Sequence, residues 1–226
     1  MSRALFAIVS QGQSLRISNA VWQTKEVKVD VRTPDGKPMT WQDATLPVGS
    51  ALRIAPAFDA SVNDEQSGIE TTIRARYEAE AGRYVIGEII NRTIRPDVEL
   101  NNLTLRLLPI QSIMQASAPR CIALTLDAEN DPRATWTTAS ELSATEGRII
   151  PTWLAKEVVK HGSKVERMDV IEIVYGISAL AGLPPAKAIQ TELGVPHRTA
   201  SDWIKKARAA GRLNGMKYIV GRQADG

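Results

Sequence analysis

Alternating apolar and polar residues dominate the first 126 residues, and this period is typical of strands that are buried on one face. Valines alternate with charged residues over 27–32 and meet a Thr-Pro-Asp-Gly sequence at 33–36, which predicts a strand leading into a hairpin. The clearest hairpin pattern lies at 69–90, where two alternating runs flank Gly82, a residue free to adopt the positive φ of a tight turn. We therefore predict a β-rich region over residues 1–126.

Shorter elements are predicted around these hairpins. The pattern predicts a strand over 103–108, a short helix opened by proline over 109–115, and a short apolar strand over 121–126. Residues 57–68 are polar without a clear period, which predicts an exposed loop. Residues 127–148 lose periodicity and gather Asp, Pro, Thr, Ser, Ala and Glu, so we predict a linker between two domains there.

After the linker the apolar residues recur at helical spacing, which predicts an all-α region over 149–226. A first helix is expected over 151–160. A longer helix over 165–181 carries apolar residues around most of its circumference, which is typical of a central helix that others pack against. The chain is therefore predicted to be an α+β protein, with a β-rich N-terminal domain followed by an all-α C-terminal domain.

The segment 184–210 has the spacing of a helix-turn-helix. Two prolines open its first helix, Gly194 supplies the turn, and a second helix is predicted over 197–210. Four residues of the second helix recur at helical spacing and are therefore predicted to lie on its inward face: Ala200, Trp203, Ile204 and Ala207. The outward residues of its first turns are predicted to contact base edges: His197, Arg198, Thr199, Ser201 and Asp202. Basic residues around them are predicted to contact phosphates: Lys187, Lys205, Lys206, Arg208 and Lys217.

The chain around Lys217 follows an Asn-Gly pair, which is a strong turn signal. Two alternatives stay open for it. The segment forms either a small wing that contacts the DNA backbone or a tail docked against the rest of the protein.

Charge distribution indicates the class of partner, and cysteine content limits the disulfides and metal sites that the chain can form. The net charge is +3, but residues 184–222 hold eight Lys and Arg against two acidic residues, a distribution that attracts a polyanion. A single cysteine, Cys121, cannot form an internal disulfide, and with only two histidines beside it no four-ligand zinc site can be assembled from Cys and His. We expect a buried structural thiol at Cys121. No metal or cofactor is predicted. Without a secretory signal or an apolar run of membrane-spanning length, we expect a cytoplasmic, nucleoid-associated protein.

The segment 165–213, roughly 50 residues, resembles the helix-turn-helix regions of actinobacterial and phage DNA-binding proteins. The resemblance is carried by Pro184, Pro185, Lys187, Ala188, Leu193, Gly194, Val195, Thr199, Ala200, Trp203 and Ile204. It implies sequence-specific DNA binding, usually as a dimer. Two residues depart from the family pattern: Pro196 stands where a Ser or Thr N-cap is usual, and Gln190 where a small alanine lies at the helix crossing.

These observations favour a sequence-specific double-stranded DNA-binding protein, a transcriptional or phage-type regulator acting as a homodimer. Its N-terminal domain is expected to serve dimerisation or to bind an undefined ligand or protein. A DNA-organising or recombination accessory protein is the alternative. A recombinase or nuclease is less favoured, because the N-terminal acidic residues show no spacing that fixes two carboxylates on one metal. No Gly-rich phosphate loop or nucleophile elbow is present, so the chain is not expected to be an enzyme.

Overall fold

The computed structural model describes residues 28–106, 108–125, 135–162 and 164–219. These residues form a mixed α+β fold with two antiparallel four-stranded sheets and seven α-helices. The predicted order, a β-rich region followed by helices, is confirmed at this level.

The strands are β1 (Val29–Arg32), β2 (Leu46–Val48), β3 (Leu52–Ile54), β4 (Ala57–Asp64), β5 (Ile69–Glu78), β6 (Arg83–Thr93), β7 (Ile122–Leu124) and β8 (Thr137–Thr138). The helices are α1 (Asn102–Arg106), α2 (Ile110–Ser117), α3 (Ala139–Glu146), α4 (Thr152–Lys160), α5 (Lys164–Leu180), α6 (Pro185–Leu193) and α7 (His197–Ala209).

The first sheet has the order β1-β4-β5-β6, and its β5–β6 hairpin turns at Gly82 with φ +59°, as predicted. The turn at 33–36 also forms, but beyond it the chain makes only an isolated bridge between Arg32 and Pro38. β1 pairs instead with β4. The predicted hairpin at this turn is therefore reduced to a tight reversal.

The predicted loop over 57–68 is wrong for its first eight residues, which form the central strand β4. Phe58, Ala60 and Val62 are buried and alternate with polar neighbours, so the period of two is present. It was weak in the sequence because alanine contributes little to an apolar pattern. Pairing with β1 on one side and β5 on the other decides the conformation.

The predicted strand over 103–108 is also wrong, because this part of the chain begins with helix α1. The Asn101 side chain accepts hydrogen bonds from the N–H groups of Leu103 (3.0 Å) and Thr104 (3.1 Å), which caps the helix start. Leu103 is 69% exposed and Leu105 is 44% exposed, so these two leucines do not face a core. The predicted short helix that follows is confirmed as α2, and the predicted strand over 121–126 is present as β7.

The second sheet has the order β2-β3-β7-β8. β8 and helix α3 lie within the segment predicted to be a linker, so its described part is not an irregular connection, while residues 126–134 lie outside the described residues. The Thr138 side chain accepts from the N–H of Glu141, and the Glu141 carboxylate accepts from the N–H of Thr138. This capping box starts α3 and places Ala139 in the core. The division of the chain into domains stays a prediction.

The helices after Ile150 follow the predicted pattern closely, with α4 and the long α5 at the expected positions. α5 is buried over most of its length, including Ile171, Val174 and Ile177. It contacts α4, α6 and α7 and also β6. One continuous core of buried side chains extends from the first sheet through the second into the helices. Among the described residues, no helix has the length and apolar character needed to cross a membrane.

Candidate nucleic-acid interface

The segment α6–α7 contains two short helices joined by a three-residue turn. Pro185 occupies the first turn of α6, where its missing N–H has no helical partner. Gly194 ends α6 with φ +64°, and a Cβ at this position would meet no other atom within 4 Å. Its backbone conformation, and not crowding, is therefore what requires glycine. Pro196 precedes α7 and provides no side-chain cap, as the sequence suggested.

The inward face of α7 is buried as its spacing predicts. Ala200 and Ala207 are fully buried, and Ile204 is nearly so. Trp203 is half-buried and packs against the core. The guanidinium of Arg167 on α5 lies 5.0 Å from the centre of the Trp203 ring. Trp203 thus holds α7 against α5 through a cation–π contact and packing.

The outward face of α7, as we define it, consists of Arg198, Asp202, Lys205 and Lys206. All four side chains are exposed. Successive members of this set are four, three and one positions apart along the helix, which places them on one side of it, opposite the buried alanines. Among the other predicted base contacts, His197 is exposed at the helix start, and Thr199 and Ser201 are half-buried at the flanks.

Two predicted phosphate contacts have partners within the protein. Arg208 donates from Nη2 to the hydroxyl of Tyr175 (3.0 Å), and its guanidinium lies 5.9 Å from that ring. Lys217 donates from Nζ to the carbonyl of Glu80 (2.7 Å), and its N–H bonds to the carbonyl of Gly82 (2.9 Å). Both cations are thus engaged with other elements, whereas Lys187 is exposed on the first turn of α6.

The chain after Gly215 follows the docked-tail alternative. Residues 216–219 contain no strand and lie along the turn of the β5–β6 hairpin. The hydroxyl of Tyr77 on β5 donates to the carbonyl of Gly215 at 2.6 Å. The bonds of Lys217 to the same hairpin complete the contact, so a β-wing is not formed by the described residues.

The exposed charge of α6 and α7 is almost entirely positive. Their two acidic residues differ in placement: Asp202 is exposed, whereas Glu192 is 1% exposed. The Glu192 carboxylate accepts from the N–H groups of Ile149 (3.2 Å) and Ile150 (3.0 Å). It also lies 3.8 Å from the guanidinium of Arg148. Its charge is therefore directed into the protein, and the surface of the two helices presents five cations against one carboxylate: Lys187, Arg198, Lys205, Lys206 and Arg208, against Asp202.

A buried carboxylate that the sequence analysis missed lies on α5. Glu172 is fully buried and accepts hydrogen bonds from the N–H and the hydroxyl of Ser50, between β2 and β3. Arg212, after α7, bonds to Glu172 at 3.3 Å and to Asp169 at 2.5 Å. Glu172 is the one charged residue in the apolar part of α5 over 170–180, and this is the signal that would have found it. This group joins the sheet, the central helix and the end of the α6–α7 segment.

A cavity of about 560 Å³ lies between the start of β6, α2, the end of α5 and the docked tail. Its walls combine apolar side chains such as Met114 and Leu180 with the cations Arg83 and Lys217. Apart from Lys217, none of the predicted DNA-contacting residues lines it. Within the described ranges, no three His, Cys, Asp or Glu side chains cluster closely enough to hold a metal ion.

Comparisons with known proteins find no family model, no curated protein and no solved structure that matches this chain.

Proposed function

We propose that this protein binds double-stranded DNA sequence-specifically, with α6 and α7 acting as a helix-turn-helix and α7 lying in the major groove. The observation that carries the proposal is the division of α7 into a buried face and an outward face with four exposed charged residues. A transcriptional or phage-type regulator is the class of protein that this arrangement fits best.

The exposed side chains of α7 differ in what they offer to DNA. Arg198, in the first turn, can donate two hydrogen bonds to a guanine, and Asp202, one turn later, can accept from a cytosine amino group. Thr199 and Ser201, at the flanks, are suited to shorter contacts with bases or sugars, and His197 lies at the helix start. Lys205 and Lys206, farther along, are suited to phosphates.

Support for phosphate binding also comes from the ends of the helices. Lys187 is exposed on the first turn of α6, where free backbone N–H groups favour an anion. Arg208 already donates one of its N–H groups to Tyr175, which leaves fewer donors for a phosphate. We therefore place Lys187, Lys205 and Lys206 ahead of Arg208 and Lys217 as phosphate contacts.

Selection of DNA from a random pool, followed by gel shifts over a range of salt concentrations, tests this proposal. Arg198→Ala should cost about 1–3 kcal/mol and relax one base position. Lys205→Ala should weaken all sequences similarly and reduce the salt slope by about 1. Lys37→Ala, which removes an exposed lysine from the turn after β1, is the matched control and should leave binding unchanged.

Three results would contradict the proposal. The first is that no DNA sequence is enriched, and the second is that the Arg198→Ala and Lys205→Ala variants bind as tightly as wild type. The third is that Lys37→Ala loses as much affinity as Lys205→Ala. A long footprint with bent DNA and no consensus would favour the DNA-organising or recombination accessory alternative instead. Cleavage of the bound DNA with magnesium or manganese would favour the nuclease alternative.

A further inference from the structure

The outer half of β6 is an exposed sheet edge. β6 is eleven residues long and ends the order β1-β4-β5-β6, so it has a strand neighbour on only one side among the described residues. From Glu88 to Thr93 every side chain is exposed except the half-buried side chain of Asn91. Ile89 is 45% exposed and Ile90 40% exposed. A long edge with exposed isoleucines is a surface on which another strand can pair.

The hydrogen bonds between β5 and β6 show which backbone groups face this edge. The N–H of Ile94 donates to the carbonyl of Gly68 at 2.9 Å. Antiparallel pairs alternate between bonded and non-bonded, and the register is unbroken from Ile69–Thr93 to Arg74–Glu88. Glu88, Ile90 and Arg92 therefore direct their backbone groups toward β5, whereas Ile89, Asn91 and Thr93 direct theirs outward.

We propose that β6 pairs antiparallel with β6 of a second copy of this chain, about a twofold axis at Ile90. In this register Ile89 and Asn91 exchange backbone hydrogen bonds with Asn91 and Ile89 of the second copy, and Ile90 meets its own counterpart. Glu88 of each copy then lies directly opposite Arg92 of the other. The two sheets become one continuous sheet of eight strands.

Charge complementarity selects this register over its neighbours. Moving the axis by one residue to Ile89 places Glu88 opposite Ile90, and moving it to Asn91 places Arg92 opposite Ile90. Only the axis at Ile90 pairs opposite charges, and it does so twice. Glu88 also bonds to Arg74 (2.7 Å), and Arg92 bonds to Glu70 (2.7 Å). Across the junction, charges alternate in sign from Arg74 through Glu88 to Arg92 and Glu70 of the second copy.

A protein that reads a palindromic DNA site binds it as a dimer, and pairing at β6 would supply that dimer. This role of the pairing in DNA binding rests on the proposed function. The pairing itself is measured without DNA. Failure of the dimer and failure of DNA binding are therefore separate results.

Sedimentation of purified variants, alone and mixed, tests the register. Wild type should be a dimer. Glu88→Arg places two arginines opposite each other at both contacts, and Arg92→Glu places two glutamates there, so each variant alone should dissociate roughly tenfold more readily. An equimolar mixture of the two variants restores both opposite-charge contacts and should form a heterodimer with wild-type affinity. Because the variants rescue each other only by pairing, a folding defect cannot produce this result.

A cysteine at the axis gives a second readout. Ile90→Cys should form a disulfide between copies under mild oxidation, whereas Glu88→Cys should not, because its counterpart lies four residues farther along the partner strand. The native Cys121 is fully buried and provides the unlinked background. A monomeric wild type overturns the proposal. The proposal is also overturned if Glu88→Arg and Arg92→Glu each self-associate as tightly as wild type. Equal cross-linking of Ile90→Cys and Glu88→Cys likewise overturns it.

Discussion

Replacement of Glu172 by glutamine tests whether the buried carboxylate on α5 holds the sheet and the helices together. The Glu172 side chain is 0% exposed and accepts from the N–H and the hydroxyl of Ser50 and from Arg212. Asp169 bonds to the same Arg212, but its side chain is 44% exposed. The two acids thus differ in burial while sharing one cationic partner, so Asp169→Asn is a matched control.

The expected costs follow from this difference. Hydrogen bonds to a charged group contribute about 1.5–3 kcal/mol when buried. Glutamine keeps one acceptor oxygen for Ser50 but turns an N–H₂ group toward Arg212, so we expect Glu172→Gln to lower the free energy of unfolding by about 2–3 kcal/mol. Water partly screens the pair of Asp169 and Arg212, whose side chains are 44% and 30% exposed, so Asp169→Asn should cost less than about 1 kcal/mol.

Urea unfolding, followed by far-ultraviolet circular dichroism and by tryptophan fluorescence, measures both variants at neutral pH. Comparison of the two midpoints at an unchanged slope gives the difference in stability. Equal losses for the two variants would refute the reasoning, since burial is what separates them. A Glu172→Gln variant as stable as wild type would show that the carboxylate charge contributes nothing to this contact.

Three further outcomes are expected. Gly194→Ala should cost about 1–2 kcal/mol by strain alone, and Gly194→Asn less, because asparagine tolerates positive φ; thermal melting compares them. A hydrogen bond from the N–H of Thr138 lowers the pKa of Glu141 in the folded protein. The stability that Glu141 contributes is therefore complete above its pKa in the unfolded chain, and it is lost as the pH falls through its lower pKa in the folded protein. Glu141→Gln should accordingly flatten stability against pH in acid, and an unchanged profile would contradict this. Burial raises the pKa of the Cys121 thiol well above its usual value, so a thiol reagent at pH 8 should label it only at the rate of global unfolding.

Long periodic segments are the part of the fold that the sequence predicts well. The β5–β6 hairpin and α5, α6 and α7 repeat their apolar spacing over many residues, and their positions agree with the prediction within a few residues. The short strands β2, β3 and β8 were missed, because two or three residues carry too little periodicity, although β1, α2 and β7 lie where the sequence predicts them. Tertiary pairing determines β4 and β8, and a local side-chain cap determines α1. Neither effect is visible in an alternation of apolar and polar residues.

The candidate site shows the same limit. Helical spacing was enough to separate the buried Ala200 and Ala207 from the exposed Arg198 and Lys205, because a single helix determines that division. It could not show that Arg208 bonds to Tyr175, which lies 33 positions earlier. The sequence therefore predicts which residues face outward, and only the tertiary contacts show which of them are already engaged.

These tertiary contacts also bear on how a dimer would place its two α7 helices. Ser50 and Glu172, 122 positions apart, bond in the core, and a Cβ at Gly176 of α5 would collide with side chains of β3 and the tail. Lys217 bonds to Gly82 in the turn that leads into β6. Because these contacts connect α5 and the tail to the sheets, we expect pairing at β6 to hold the two α7 helices at a single separation. Operators whose half-sites are moved apart by one to five base pairs should then lose binding sharply, and tolerance of all spacings would contradict a rigid connection.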